Sequence, residues 1–148
     1  MEKRIEVCAN SALSAYVAQR AGAYRVELCA GIPEGGTTPS MGEIAIAREL
    51  LTTTRLNVII RPRGGDFLYL ELEQEIMLRD IEMCKTAGVD GVVFGCLTAD
   101  GDVDMVAMKR MMEAAKGMDV TFHRAFDMCR DPRKALEDII SLGCNRIL

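Results

Sequence analysis

The stretch Arg-Ile-Glu-Val-Cys-Ala at residues 4–9 recurs almost unchanged as Arg-Val-Glu-Leu-Cys-Ala at residues 25–30. Both copies alternate, with Arg, Glu and Cys on one side and aliphatic residues on the other, which is typical of a β-strand. A helical pattern follows each copy, directly or after a loop. Two strands of one repeating unit that are separated by one helix are expected to lie side by side and parallel. The aliphatic face then packs on helices, and the charged face lines the inside of a barrel.

The same strand–helix unit continues along the chain. Further strands are predicted at 56–61, 91–95 and 120–124, and a sixth begins at 145. A helix is predicted over 71–87, and in the first helix Leu13, Val17 and Ala21 recur at helical spacing. Short helix-to-strand turns and longer strand-to-helix loops are typical of a β/α barrel, whose functional loops follow the strands.

The alternative is an open doubly wound sheet. The barrel is favoured because the first two strands carry charges on the face opposite the helices, and because no Gly-x-Gly-x-x-Gly follows the first strand. A full eight-fold barrel takes roughly 250 residues, and this chain has 148. The prediction is therefore an α/β fold with one incomplete TIM-type (β/α) barrel domain over 1–148, about five βα units plus a sixth strand. It is truncated at its C-terminal side or completed by a partner.

Composition excludes several classes of function. The net charge of −4 gives no electrostatic reason to expect nucleic acid or an anionic membrane surface. No apolar run approaches the roughly 20 residues that span a bilayer. The N-terminus leads straight into a strand, which predicts no signal peptide, so the six Cys are interpreted as cytosolic thiols. The expected location is cytoplasmic.

Cys8 and Cys29 occupy equivalent positions near the ends of the two copies of the repeated stretch. Adjacent strands lie about 4.8 Å apart, so two thiolates at neighbouring strand ends are able to share one soft cation. Two sulfur ligands suit copper(I) better than a tetrahedral zinc site. The alternative is that both are small, inert, buried side chains.

Arg61 and Arg63 flank a proline and precede Gly-Gly, which together form a candidate anion clamp. The alternative is that Arg61 pairs with Glu6 or Glu27 to neutralise the barrel lining.

His123 is the only His, and it ends the fifth strand beside Arg124 and Asp127. If the barrel prediction holds, it lies at the rim as a general acid or base, with Arg124 and Asp127 as further ligand-binding residues. Glu27 is a second, tentative catalytic residue. A hydrogen-bonded structural His and a Glu27 that only pairs with Arg remain the alternatives.

Several motifs carry a resemblance to a known family. They are the two repeated stretches, Gly-Gly-Thr-Thr-Pro-Ser at 35–40, Arg-Pro-Arg-Gly-Gly-Asp-Phe at 61–67, Gly-Val-Val-Phe-Gly at 91–95 and Thr-Phe-His-Arg-Ala-Phe-Asp at 121–127. Taken together, they closely resemble the CutC copper homeostasis family throughout the chain. The resemblance implies a cytoplasmic β/α barrel, often dimeric, of which this chain lacks about the last two strands. It also implies copper(I) at Cys8 and Cys29.

Two functional hypotheses follow. In the first, the protein takes part in copper homeostasis and binds copper(I) through Cys8 and Cys29. In the second, it is a TIM-barrel enzyme acting on a small phosphorylated or carboxylated metabolite. An Arg pair, a Gly-Gly loop and a rim His are not obviously needed by a copper chaperone, which keeps the enzyme hypothesis open. A third interpretation, that the chain is only an assembly partner, is motivated by its two unpaired sheet edges.

Overall fold

The computed structural model describes residues 3–148, so Met1 and Glu2, where the absence of a signal peptide was predicted, lie outside the described residues. Strands and helices alternate along the rest of the chain. The strands are β1 Glu6–Ala9, β2 Arg25–Leu28, β3 Arg55–Ile59, β4 Gly91–Phe94, β5 Asp119–Phe122 and β6 Arg146–Ile147. The helices are α1 Ala12–Arg20, α2 Met41–Leu50, α3 Glu71–Ala87, α4 Met105–Ala114 and α5 Pro132–Leu142.

The six strands form one sheet in the order in which they occur in the chain. All five pairings are parallel, and β1 lies beside β2 as the repeated stretch predicts. Each helix packs against the next one along the chain, so the helices form a single layer on one side of the sheet. The incomplete TIM-type barrel that the sequence predicts is confirmed.

Local sequence signals fix where the helices begin and end. The Ser40 and Asp104 side chains accept hydrogen bonds from backbone N–H groups in the first turns of α2 and α4. Asp131 caps α5 in the same way, directly before Pro132. Gly88 follows α3 with a φ of 74°, a left-handed conformation that ends the helix and that glycine adopts without strain.

The helix-facing side of the sheet forms the hydrophobic core. Val, Leu, Ile and Phe side chains from β2 to β5 are buried there against helix residues such as Met77 and Ile81. Helix α1 packs on the sheet through Ala12, Ala15 and Ala18. The larger residues that recur at helical spacing in α1 are mostly exposed, Leu13 at 70 % and Val17 at 58 %. Small side chains on the buried face allow a helix to approach the sheet closely.

The opposite side of the sheet is polar, as the alternation predicts. One row of laterally paired residues crosses it; we call it the inner row, and it consists of Cys8, Glu27, Asn57, Gly91 and Asp119. Gly91 carries no side chain where an added Cβ would lie 2.6 Å from the Asn57 Oδ1 and 2.8 Å from the Asp119 carbonyl oxygen. The glycine therefore leaves room for the Asn57 amide on this face.

Ion pairs neutralise Asp119 of the inner row and Glu6, which lies below it on β1. Arg25, from the second copy of the repeated stretch, pairs with Glu6 of the first copy at 2.6 Å. The Asp119 carboxylate accepts from Arg55 at 3.2 Å and from Arg146 at 2.6 Å. These pairs join β1 to β2 and β3 to β6 across the inner face.

The sheet is curled. Glu6 of β1 and Leu148, which follows β6, belong to opposite edges of the sheet and line the same cavity. Among the helices in the described part of the chain, none has the length and apolar character that crossing a membrane requires.

Candidate functional site

A cavity of about 550 Å³ opens at the carboxyl ends of the strands, on the inner side of the curled sheet. We call it the mouth cavity. Its lining consists of Glu6, Cys8, Glu27, Gly35, Ile59, Arg61, Phe67, His123, Arg124, Asp127, Met128 and Leu148. Six of the residues singled out from the sequence as candidate site residues are thereby brought together; Cys29 and Arg63 do not line it.

Arg61 is 4 % exposed and makes no ion pair with any residue of the described range 3–148. Its Nη1 donates to the carbonyl oxygens of Glu34 and Gly36 at 2.7 and 2.9 Å, and its Nη2 donates to that of Gly65 at 2.7 Å. The Nε–H is buried without a partner among the described residues. The alternative in which Arg61 pairs with Glu6 or Glu27 is therefore wrong, because neither carboxylate contacts it.

Two loops hold Arg61 in place. The Arg61 backbone N–H donates to the Thr38 hydroxyl, and its carbonyl accepts from the Thr38 N–H, both at 2.9 Å. Gly64 lets the two loops meet, since a Cβ there would lie 2.7 Å from a Glu34 carboxylate oxygen. Gly64 and Gly65, predicted as part of an anion clamp, thus help to position the Arg61 guanidinium.

Arg63 points away from the mouth cavity. Its Nε donates to the Glu73 carboxylate at 2.6 Å, and its Nη2 lies 3.1 Å from Asp66. Glu73 also accepts from the Leu70 N–H at the start of α3, and the Arg63 guanidinium lowers the pKa of Glu73. Arg63 therefore fastens its loop to α3, and the two-arginine clamp predicted from the sequence is not assembled.

His123 is buried at the end of β5, 4 % exposed. Its Nδ1 accepts from the Ala125 N–H at 3.2 Å, so in the neutral ring the proton resides on Nε2, which is buried without a partner in residues 3–148. Burial and the nearby Arg61 charge lower the pKa of His123 to about 4. The imidazole is thus a neutral hydrogen-bond donor near pH 7. Gly95 makes room for it, since a Cβ there would lie 2.9 Å from the His123 Nδ1.

Glu27 is 7 % exposed and lines the mouth cavity. Its carboxylate makes no ion pair and accepts no hydrogen bond from any described residue. Burial, and then the neighbouring Glu6 carboxylate, raise the pKa of Glu27 to about 7, against a smaller opposing effect of Arg25. A carboxyl group with this pKa is able to give or take a proton near neutral pH.

The Cys8 and Cys29 sulfur atoms lie 3.3 Å apart, and both thiols are free. Cys8 is exposed, whereas Cys29 is buried and also contacts the Ala9 carbonyl oxygen. Burial raises the pKa of the Cys29 thiol, and the hydrogen bond with Cys8 acts in the same direction. Within residues 3–148, no group of three or more Cys, His, Asp or Glu side chains is arranged to hold a metal ion.

Other predicted rim residues contribute less. Arg124 and Asp127 pair with each other at 2.8 Å at the cavity entrance, and the Arg124 side chain is 78 % exposed. Cys96, which follows β4, is buried in the hydrophobic core. Cys129 contacts the Ala125 carbonyl oxygen and packs against the same core. Neither thiol joins the Cys8–Cys29 pair.

Two features of the site were missed from the sequence: Phe67, which lines the mouth cavity, and Asn57, which belongs to the inner row but not to the cavity lining. The Phe67 ring centroid lies 4.9 Å from that of His123, and the Arg61 guanidinium carbon lies 5.0 Å from the Phe67 ring centroid. Phe67 directly follows the Arg-Pro-Arg-Gly-Gly-Asp motif, and this position was an available signal that it belongs to the site. Asn57 of the inner row has both side-chain amide atoms buried and without partners in the described chain. Asn57, Ile59 and Arg61 alternate along one strand, which was an available signal that Asn57 shares the face of Arg61.

Comparison with known proteins now identifies the family. The CutC family model matches residues 3–148. The chain belongs to the CutC family. A Bacteroides thetaiotaomicron protein named as a family protein CutC is 68% identical over 145 residues, which cover 98% of this chain and 58% of that protein. The CutC-family chain described here thus spans less than two thirds of that curated relative.

Solved structures agree with this family and fold. One of a candidate copper homeostasis protein CutC from Streptococcus agalactiae superposes with a TM-score of 0.93 at 37% identity, covering 99% of this chain and 71% of that one. A candidate phosphonomutase from Burkholderia cenocepacia superposes with a TM-score of 0.70 at 19% identity, covering 99% and 62%. The second similarity concerns the fold alone.

Proposed function

We propose that the mouth cavity binds a small organic anion, a phosphate or a carboxylate, as the substrate site of a TIM-barrel enzyme. The observation that carries the proposal is the environment of Arg61. Its guanidinium is buried, its hydrogen-bond acceptors are carbonyl oxygens, and no carboxylate among the described residues pairs with it. A buried charge without a counterion is costly unless a ligand supplies one. An anion on the open side of Arg61 would supply it.

Two unpartnered donors support the same proposal. The Arg61 Nε–H and the His123 Nε2 lie in residues that line one cavity, and neither has a hydrogen-bond partner in residues 3–148. Two N–H donors suit two oxygens of a carboxylate or a phosphate. The mouth of a β/α barrel is where sites of this fold gather.

The pKa values suggest how the residues share the chemistry. With its pKa lowered to about 4, His123 is neutral near pH 7 and donates a hydrogen bond from Nε2. Glu27, with its pKa raised to about 7, transfers the proton. This assignment exchanges the roles predicted from the sequence, in which His123 moves the proton and Glu27 assists.

Isothermal titration calorimetry tests the proposal with inorganic phosphate and, separately, acetate. The Arg61→Gln variant is expected to bind the preferred anion at least about tenfold more weakly, since a charge-assisted hydrogen bond is lost. Arg63→Gln from the same motif is the matched control and should change the affinity less than about twofold, because Arg63 faces Glu73.

His123→Gln serves as a second test should Arg61→Gln prove poorly folded by circular dichroism. It keeps a side-chain donor, but the donor is displaced, so weaker binding is expected there as well. Absence of binding by either anion to the wild-type chain, or equal affinity in wild type and Arg61→Gln, contradicts the proposal.

A second candidate function is copper(I) binding, favoured by the 3.3 Å separation of the Cys8 and Cys29 sulfurs. Two soft sulfur ligands match copper(I). The Streptococcus agalactiae structure is named for copper homeostasis. Copper would be cargo held at the edge of the cavity, and the location of such a protein would be cytoplasmic. Assembly as a dimer remains a prediction from the family resemblance.

A competing copper(I) chelator tests this second candidate. Replacement of both Cys8 and Cys29 by Ser should abolish competition with the chelator. Cys129→Ser is the control, since that thiol packs against the core away from the pair. Unchanged affinity in the double variant would remove copper binding at this site while leaving the anion proposal untouched.

A further inference from the structure

We propose that the anion bound at Arg61 carries a hydroxylated carbon chain, whose far end is bound by Glu27 and Asn57. This inference rests on the proposed anion site and names the class of its ligand. The ligand would be a polyhydroxylated phosphate or carboxylate that extends from the cavity mouth to the inner row.

Glu27 and Asn57 are direct lateral neighbours on β2 and β3, so their side chains emerge on the same face about 4.8 Å apart at the backbone. Glu27 lines the mouth cavity. Both amide atoms of Asn57 are buried and lack partners in the described part of the chain. Buried polar groups in native proteins are nearly always hydrogen-bonded. Asn57 is not part of the cavity lining, but it lies directly beside Glu27, which is. Two adjacent polar groups without partners among the described residues therefore indicate a polar ligand or the ordered water that it displaces.

The two ends of the site are well separated. Arg61 follows Asn57 by four residues along the extension of β3, which at 3.3 Å per residue places their Cα atoms about 13 Å apart. Arg61 and Glu27 have opposite charges and line one cavity, yet no ion pair joins them within residues 3–148. A ligand that reaches both must have an anionic group at one end and a polar group several bonds away.

Hydroxyl groups fit the far end better than an ammonium group. An amide side chain offers both a donor and an acceptor, and a carboxyl group with a pKa of about 7 offers either, depending on its proton. A hydroxyl satisfies both, whereas an ammonium only donates and would leave the Asn57 Nδ2 unpaired. The Thr121 hydroxyl, two residues before His123 on β5, is a further buried group without a partner in 3–148. Val93 pairs with both Ile59 and Thr121, so Thr121 lies level with Ile59, between Asn57 and Arg61 along the strands, although it is not part of the cavity lining.

The cavity volume agrees with a ligand larger than a bare anion. A volume of about 550 Å³ lies within the range of small-molecule sites, roughly 300–1,000 Å³. Inorganic phosphate alone would leave most of it filled with water. A chain of about five carbon atoms with a phosphate at one end fits within this volume.

Calorimetry with three five-carbon phosphates tests this inference on the complete chain. Ribitol 5-phosphate carries hydroxyls, pentyl phosphate carries none, and 5-aminopentyl phosphate ends in an ammonium group. Ribitol 5-phosphate is expected to bind at least about tenfold more tightly than pentyl phosphate, since several hydroxyls pair with buried groups. Asn57→Leu should remove most of this advantage and affect the affinity for inorganic phosphate less.

Two further variants distinguish the outcomes. Thr121→Val, which preserves side-chain volume, should also reduce the advantage even if Asn57→Leu proves unstable. Glu27→Gln keeps a donor and an acceptor and should retain the advantage within about threefold. Equal binding of the ribitol and pentyl compounds, or tightest binding of the aminopentyl compound with loss in Glu27→Gln, overturns this inference while the anion site stands. Failure of inorganic phosphate and of all three compounds to bind contradicts the proposed function itself.

Discussion

The Cys8 and Cys29 sulfur atoms lie 3.3 Å apart although the register of β1 and β2 pairs Cys8 with Glu27. Cys29 is two residues farther along than the lateral neighbour of Cys8, so the two Cα atoms are separated by about 8 Å, from strand spacing and rise. Disulfides rarely span more than about 7 Å between Cα atoms. The side chains lean toward each other diagonally, an arrangement that suits a shared ligand better than a covalent bond.

Copper(I) binding at this pair is predicted to strengthen with pH. Burial raises the pKa of the Cys29 thiol, so the metal must displace at least one bound proton. Each proton released changes the affinity about tenfold per pH unit. Chelator competition at pH 6.5 and 8.0 measures this dependence, and Cys29→Ser should lower both the affinity and its slope. An affinity that is the same at both pH values contradicts a thiolate site.

Gly95→Ala is predicted to disturb His123. The added Cβ would lie 2.9 Å from the imidazole Nδ1 and 3.0 Å from the Phe122 ring, so the ring must move or the strand must shift. Overpacking of this kind costs about 1–3 kcal/mol of unfolding free energy. Urea unfolding measures the loss, and anion affinity should fall as well if His123 donates to the ligand.

Gly42→Ala is the matched control for this substitution. Gly42 lies in α2, and the nearest atom to an added Cβ is the Ser40 hydroxyl oxygen at 3.9 Å. A helical alanine has less conformational freedom to lose, so the chain should be unchanged or stabilised by up to about 1 kcal/mol. A Gly95→Ala variant as stable as Gly42→Ala would show that His123 is not tightly confined.

Helical periodicity and strand alternation explain which parts of the structure were predictable from the sequence. Helix α3 was predicted at 71–87 and found at Glu71–Ala87, because three buried residues share one face and Gly88 stops the helix. Alternation along the third strand also puts Arg61 on the same face as Asn57. It does not extend to Arg63, since the strand has ended and Pro62 redirects the chain.

Other features of the structure cannot be predicted from local sequence patterns. The two repeated stretches look equivalent, yet the stagger of neighbouring barrel strands pairs Cys8 with Glu27. The carbonyl environment of Arg61 comes from loops that lie far away in the chain. In α1, Leu13 and Val17 predicted a helix correctly, but hydrophobicity does not show that alanines form its buried face.

Glu27→Gln is predicted to stabilise the protein above neutral pH. The pKa of Glu27 is about 7 in the folded chain and 4.5 for an unperturbed carboxyl. Between these values the folded state binds more protons than the unfolded state, so stability falls as pH rises. The full penalty, on the order of 3 kcal/mol, is reached above pH 7. Urea unfolding should show the variant more stable at pH 8 and no gain at pH 4, and a gain independent of pH would contradict the assignment.

His123→Gln is predicted to change the pH dependence in the opposite direction. The pKa of His123 is about 4 in the folded chain against 6.5 for a free imidazole. Between these values the unfolded state binds more protons, so the histidine makes stability rise with pH, by on the order of 3 kcal/mol over the window. Its contribution and that of Glu27 oppose each other from about pH 4.5 to 6.5.

Because the two contributions cancel over that range, they are best seen in the single variants. Relative to wild type, Glu27→Gln should gain stability progressively from pH 4.5 to 7, and His123→Gln should lose it progressively from pH 4 to 6.5. Other carboxylates affect all three proteins alike, so the differences isolate these two groups. Unfolding curves at pH 4.5, 5.5, 6.5 and 7.5 measure them. Parallel curves for His123→Gln and wild type would mean that the imidazole is not held neutral beside Arg61.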